Sequence, residues 1–256
     1  MSVSREKKRC FVTGGGRGIG RGIVEALAAS GYEVTFSYRS STDAAESLRS
    51  ELEKRFPSQN FSVLRADLAS REDVDALAQE LSGWTDLYGF VHNAGASFDA
   101  LAAMIDRPRA EEIMQVNFWS MIVLVKAALR PMMRARAGRI VGVGSITARQ
   151  GTQGNGAYAA TKGAMASYMK SLCVEVARKG ITANVIAPGY VDTDMLAPYA
   201  GQREKAEKQI PCGRFATPDE IASLVCYLLA PEAAYVTGAE IPIDGGLSAS
   251  IAMKNQ

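Results

Sequence analysis

Seven short runs rich in β-branched and aromatic residues, CFVT, EVTFSY, FSVLRA, LYGFVHN, RIVGVGS, ITANVIAP and EIPIDGG, alternate with segments of helical periodicity. Strands separated in this way by helices are joined by crossovers, and crossovers build a parallel sheet. Ile19, Ile23, Ala26 and Leu27 mark one apolar helical face, Ala44, Ala45, Leu48 and Leu52 a second, and Val74, Leu77, Ala78 and Leu81 a third. The expected architecture is a single α/β domain over residues 1–256, a doubly wound Rossmann-type fold with a parallel seven-stranded sheet and helices on both faces. A chain of this length buries about three-quarters of the surface it exposes when unfolded, so no accessory domain is needed.

Charge and composition exclude several classes of function. The 29 basic and 27 acidic side chains leave a net charge of +2, which argues against a general polyanion binder, so no nucleic acid partner is expected. The four cysteines form no CxxC pair and there is one histidine, too few ligands for a zinc site, so no metal is expected. The basic N-terminus MSVSREKKRC leads into CFVTGGG rather than a secretory apolar core, and no apolar run approaches the ~20 residues of a membrane span. A soluble, cytoplasmic protein with no membrane contact is expected. The least regular stretch, about Tyr190 to Phe215, is a candidate substrate lid, the alternative being a surface excursion with no role.

CFVTGGGRGIGRGIVEAL places a glycine cluster between the first strand and a helix, where backbone N–H groups and the helix dipole can meet a pyrophosphate. Gly14, Gly18 and Gly20 have the spacing GxxxGxG, which differs from GxGxxG; its place at the first βα turn is what marks a nucleotide site. At the end of the second strand an NAD site places a carboxylate for the ribose 2′-hydroxyl. Here TFSYRSS offers Tyr38 and Arg39, and the glycine turn offers Arg17. The missing acid and the two arginines favour the 2′-phosphate of NADP(H) over NAD.

TGGGRGIG, HNAG (His92 to Gly95), Asn117, Ser145, Tyr158, Lys162 and PGYVDT (Pro188 to Thr193), in this order and separation, resemble the short-chain dehydrogenase/reductase superfamily over nearly the whole chain. Within it, GRIVGVGSITA, AYAATKGAMASYMKSL and ATPDEIASLVCYLLAPEAAYVTGAEIPIDGG are most similar to 3-oxoacyl-acyl-carrier-protein reductases. The resemblance implies NADPH-dependent reduction of a 3-oxoacyl thioester carried on acyl carrier protein. A reductase or dehydrogenase of a free small ketone or alcohol is the alternative, and from another class, a non-catalytic NADP-binding sensor or structural subunit. The resemblance further implies that Gly14, Arg17, Gly18, Ile19, Gly20, Asn93, Ala94 and Gly95 line the cofactor, that Asp67 reaches its adenine, and that Pro188, Gly189 and Thr193 flank the nicotinamide amide. HNAG departs from the family's usual pair of asparagines and leaves His92 unassigned; a packed strand-end residue is its simpler reading.

Carbonyl reduction requires a hydride on carbon and a proton on oxygen. If residues 157–178 form a helix, Tyr158 and Lys162 share one face. A lysine charge about 5 Å away at an effective dielectric of ~20 contributes roughly 3 kcal/mol, or about two pKa units, and is expected to bring the phenol toward neutral pH. By the resemblance Tyr158 donates the proton, Lys162 also holds the nicotinamide ribose, Ser145 steadies the developing alkoxide, and Asn117, on the preceding long helix, orders a water leading from Lys162 to solvent. The resemblance also points to Arg130 and Lys179, with Arg134 and Arg136 nearby, as a basic patch rimming the active site for the acidic carrier. Cations near helix C-termini also oppose the macrodipole, which leaves a purely stabilising role open. The same resemblance, with the apolar segments EIMQVNFWSMIVLVKAAL and AYAATKGAMASYMKSL, implies self-association as a homotetramer.

Overall fold

The computed structural model describes residues 8–194, 196 and 201–250, and in it all seven expected strands form. β1 (Arg9–Thr13), β2 (Glu33–Tyr38), β3 (Phe61–Arg65), β4 (Leu87–His92), β5 (Gly138–Val143), β6 (Ile181–Pro188) and β7 (Glu240–Ile243) make one sheet in the order β3-β2-β1-β4-β5-β6-β7. Every pairing is parallel. The order reverses between β1 and β4, whose last residues, Thr13 and His92, are register partners. A crevice therefore opens at their C-terminal ends, where ligands of such sheets bind.

Side chains alternate across the sheet, and two cores result. On one face Val12, Phe36 and Val91 pack with Ile23 and Leu27 of α1 (Gly18–Ala29), Leu48 and Leu52 of α2 (Thr42–Arg55), and Ile221 and Leu228 of α8 (Pro218–Leu229). On the other, Phe11, Phe90 and Ile140 pack with Leu77 and Leu81 of α3 (Arg71–Gly83), Met121 and Leu124 of α5 (Ser120–Ala135), and Met165 and Met169 of α6 (Gly156–Val176). Ala44, expected on the apolar face of α2, is exposed; Ala45, Leu48 and Leu52 alone form the buried stripe. Local signals start two of these helices: Ser70 accepts from the Asp73 N–H, and Thr217 forms a capping box with Glu220. α6 ends in a 3-10 turn, Ala177–Lys179, followed by Gly180 at φ +73°, where a Cβ would lie 2.4 Å from the Arg136 carbonyl oxygen. Glycine is required at that crossing.

Two expectations are corrected here. The long helix around Asn117 is not continuous α-helix: α4 (Arg107–Met114) runs into a π-turn, Gln115–Trp119, and only then into α5. Moreover, the combined run Arg107–Ala135 is, by length and composition, apolar enough to cross a membrane, contrary to the sequence reading. Its apolarity has a local cause, since Met121, Leu124, Val125, Ala128 and Met132 are buried in the core beneath it. The expected lid falls partly outside the described residues, as do the basic residues 1–7. At the base of that stretch Val191 bridges Ala216, Tyr190 stacks on Phe215 at 5.2 Å, and Arg203, the first residue of α7 (Arg203–Glu207), forks onto Asp192 at 3.0 Å.

Candidate active site

The turn from β1 to α1 is built for close approach. Gly14 and Gly18 adopt φ of +66° and +52°, and a Cβ on Gly20 would lie 2.0 Å from the Gly14 carbonyl oxygen. Arg17 caps α1 without a side-chain hydrogen bond and the first turn holds no acid. The leading N–H groups of α1, with Ile19 among the residues that carry them, thus present the positive end of the helix to an incoming anion. The chemistry of this cradle fits a dinucleotide pyrophosphate. Asn93 holds the cradle to β4, donating from Nδ2 to the carbonyls of Thr13 and Gly14 at 3.0 Å each. The loop after β6 closes over the turn: Gly189 donates to Ile243 at 3.1 Å beside Pro188, and Thr193 Cγ2 would stand 3.3 Å from a Cβ on Gly18. Tyr38 ends β2 half-buried, Arg39 and Arg17 are exposed, and Asp67, just past β3, accepts from the Ala69 N–H at 3.0 Å.

The four expected catalytic side chains come from three elements. Ser145 follows β5, and its Oγ accepts from the N–H and hydroxyl of Thr147 at 3.2 and 2.9 Å, which leaves its own proton free for a neighbour. That neighbour is Tyr158, on the first turn of α6, which hydrogen-bonds the Ser145 hydroxyl. One turn on, Lys162 is buried, donates to the Val143 carbonyl at 2.8 Å, and lies 5.5 Å from the Tyr158 ring centroid. Asn117, in the π-turn, accepts from the Ala96 N–H at 2.8 Å and donates to the Ala96 carbonyl and to Thr161 Oγ1 at 2.9 Å each. Both protons of its amide are thus committed, and the amide oxygen takes one N–H with a second lone pair to spare. A Cβ on Gly95 would stand 3.4 Å from Asn117 Oδ1 and 3.5 Å from Lys162 Nζ, so Gly95 and Ala94 bring the nucleotide loop directly onto this group.

The expected fall in the Tyr158 pKa does not occur. Burial pushes the phenol up to about 12; the hydrogen bond from Ser145 offsets part of this, and the Asp99 carboxylate adds to it. The residue is half-buried, and the protein around it is dense enough for desolvation to win. The lysine charge sits beside the ring on the Val143 carbonyl rather than at the hydroxyl, and the same burial brings Lys162 down to about 8. At neutral pH the phenol therefore holds its proton, which is the form a proton donor needs. For reduction, kcat/KM is expected to decline as pH rises through about 8, because the free enzyme then loses the Lys162 charge while Tyr158 stays protonated. A profile flat to pH ~10 would overturn this assignment.

The basic patch is displaced from its expected position. Arg130 lies in α5 more than a turn before its end, outside the reach of the helix-terminus dipole, while Lys179 stands at the end of the 3-10 turn; both are exposed. Both elements lead into the N-terminal ends of β5 and β6. Lys179 is thus about 30 Å along the helix from Tyr158, at the opposite edge of the sheet, and the patch does not rim the active site of its own chain. Sequence reasoning also passed over Thr13, Ser37, Thr147 and Thr161, the hydroxyls that orient the site; Ser37 accepts from the Gly14 N–H at 3.2 Å. Their signal was available, since each follows a strand's apolar run or lies between named site residues.

The sequence model of the family described as enoyl-(acyl carrier protein) reductase matches residues 14–248. The 3-oxoacyl-acyl-carrier-protein reductase of Vibrio cholerae is 37% identical over 96% of this chain and 99% of its own. Among solved structures, a short-chain dehydrogenase/reductase from Serratia marcescens is 33% identical with a TM-score of 0.87, covering 94% of this chain and 98% of its own. Acetoin dehydrogenase of Salmonella typhimurium is 25% identical with a TM-score of 0.87, covering 96% and 99%.

Proposed function

The chain belongs to the short-chain dehydrogenase/reductase family, oxidoreductases that work between CH–OH and C=O with a nicotinamide cofactor, and from that premise we propose that it reduces a 3-oxoacyl thioester on acyl carrier protein with NADPH. The observation that carries the chemistry is the convergence of Ser145, Tyr158 and Lys162 at the end of β5, with Asn117 behind them. The 37% identity to the Vibrio reductase supports the substrate class.

A bound nicotinamide supplies the hydride. With substrate in place Ser145, oriented by Thr147, turns its proton from Tyr158 to the substrate oxygen and steadies the charge that develops there. Tyr158 gives that oxygen its proton. Lys162, fixed on Val143, keeps a positive charge behind the phenol as it becomes phenolate, and the main-chain carbonyl of Asn117 holds the water through which the proton is replaced. Turnover of carrier-bound 3-oxoacyl thioester well above that of simple ketones is the expected result; the reverse order would favour the free-carbonyl reading, which the likeness to acetoin dehydrogenase keeps in view.

Arg17 and Arg39 are proposed to select the 2′-phosphate. Arg39→Asp should weaken NADPH by about 10- to 150-fold through loss of a charged hydrogen bond, and lower the NADPH/NADH ratio of kcat/KM. An unchanged ratio would reduce Arg39 to a solvated surface residue.

A homotetramer in the cytoplasm is proposed as the working form. Trp119 and Met133 on the π-turn and α5, and Val174 on α6, leave 52%, 44% and 79% of their surface open, an apolar face suited to a second copy. If α6 pairs with itself about a two-fold axis, the helices run antiparallel, and Arg130 and Lys179 of one copy approach the Tyr158 end of the other. A carrier docked on that patch would then feed the neighbouring site. Arg130→Glu with Lys179→Glu should raise KM for the carrier-bound substrate severalfold or more, less so at high ionic strength, and leave a small thioester unaffected. Equal losses on both substrates would remove the docking role.

A further inference from the structure

His92, the chain's one histidine, is fully buried at the last position of β4, between Thr13 on β1 and Gly142 on β5, and no step above uses it. Its ring packs on Phe90 with centroids 6.4 Å apart and lies against the main chain of Val116 and Asn117. The hydrogen bonds around Thr13 fix its tautomer. Thr13 Oγ1 accepts from the N–H groups of Asn93 and Ala94, each at 3.0 Å, so both its lone pairs are taken and its single proton must be donated. His92 Nδ1, at 3.4 Å, is the acceptor in place. Nδ1 therefore carries no proton, and the ring N–H is at Nε2. Nε2 is buried, and among the described residues it has no partner at full hydrogen-bonding geometry; the Val116 and Asn117 carbonyls are the acceptors it approaches, an arrangement uncommon enough in protein interiors to require a reason.

We infer that His92 is a positioning residue for the reaction: its Nε2–H faces the π-turn Gln115–Trp119 and, through that turn, fixes Asn117 against Gly95 and Lys162. A π-turn breaks the regular α-helical ladder, leaving main-chain carbonyls there in need of donors. Val116 already receives the Ser120 hydroxyl at 2.7 Å. The Asn117 amide is committed to Ala96 and Thr161, so a small movement of the turn reaches the nucleotide loop and α6 together. The ring is held neutral to about 3, first by burial and then by the Lys162 charge, with the carbonyls of Val116 and Asn117 opposing. A charged imidazole would set a second cation beside Lys162.

The inference rests on the relay proposed above, but its first test needs no turnover. Nitrogen-15 NMR of the full chain, free of any histidine tag, reads a single imidazole. Between about pH 6 and 9 Nδ1 should resonate as an unprotonated nitrogen and Nε2 as a protonated one. The opposite tautomer or a charged ring would overturn the inference while leaving the relay intact. The second test is kinetic. His92→Phe keeps a flat ring and removes the N–H, and should lower kcat about 3- to 10-fold with the KM for NADPH unchanged. The loss should vanish when Asn117 is already Ala, because the two residues act through one path. Equal losses in both backgrounds, or none in either, would show His92 to be packing alone. Should His92→Phe fail to fold, His92→Gln takes its place in the same cycle, with its amide displaced from the Nε2 position.

Discussion

Tyr158→Phe lowers kcat by about 10²- to 10⁴-fold, the span that a positioned general acid contributes, while NADPH binding stays within a factor of two or so of the unsubstituted protein. The phenol is desolvated and holds its proton at neutral pH, hydrogen-bonded to Ser145. Phenylalanine keeps its packing and removes only the hydroxyl. Single-turnover rates with a 3-oxoacyl thioester, set beside cofactor affinity from fluorescence titration, separate the two effects. Retention of a tenth or more of kcat would refute the assignment of Tyr158 as proton donor.

The second large effect is mechanical. A Cβ on Gly20 would lie 2.0 Å from the Gly14 carbonyl oxygen and 2.5 Å from Asn93 Nδ2, so Gly20→Ala must push the glycine turn outward or break the Asn93 clamp. Either change misplaces the N–H groups that face the pyrophosphate. Loss of one or two charge-assisted hydrogen bonds predicts NADPH binding weaker by about 100-fold or more. Gly16→Ala is the control, because its Cβ would meet only Tyr38 and Ala45 at 3.9 and 4.0 Å. Calorimetry should find near-normal affinity for the control. Equal affinity in both variants would mean that the turn adapts to side chains, and that its glycines are not what shapes the site.

The strands, their parallel pairing and the two helical layers were legible because each follows from a local pattern in the sequence: short continuous apolar, β-rich runs at β1 and β4, buried on both faces, and i, i+3, i+7 spacing along α2 and α3. The catalytic residues were legible because Tyr158 and Lys162 are four apart on one helix and Ser145 directly follows a strand. Effects that depend on distant neighbours were not. The direction of the Tyr158 pKa turns on how closely the fold wraps the phenol and on Val143 claiming the lysine, neither of which a spacing of four reveals. The location of Arg130 and Lys179 failed similarly: their helices were foreseen, but which edge of the sheet those helices end on is a property of the topology. The π-turn was hidden because EIMQVNFWSM reads as continuous helix, and only the bonds from Asn117 to Ala96 and Thr161 show why it is there.

That turn is in effect a one-residue insertion retained within a helical run of 29 residues. Removing a residue between 115 and 119 would let the run close into unbroken α-helix and improve its backbone hydrogen bonding, yet it would take away the bulge that holds Asn117 against Ala96 and Thr161. Stability has been yielded here to chemistry, and a programme that shortened or regularised this helix for robustness would be expected to return a sturdier, inactive protein.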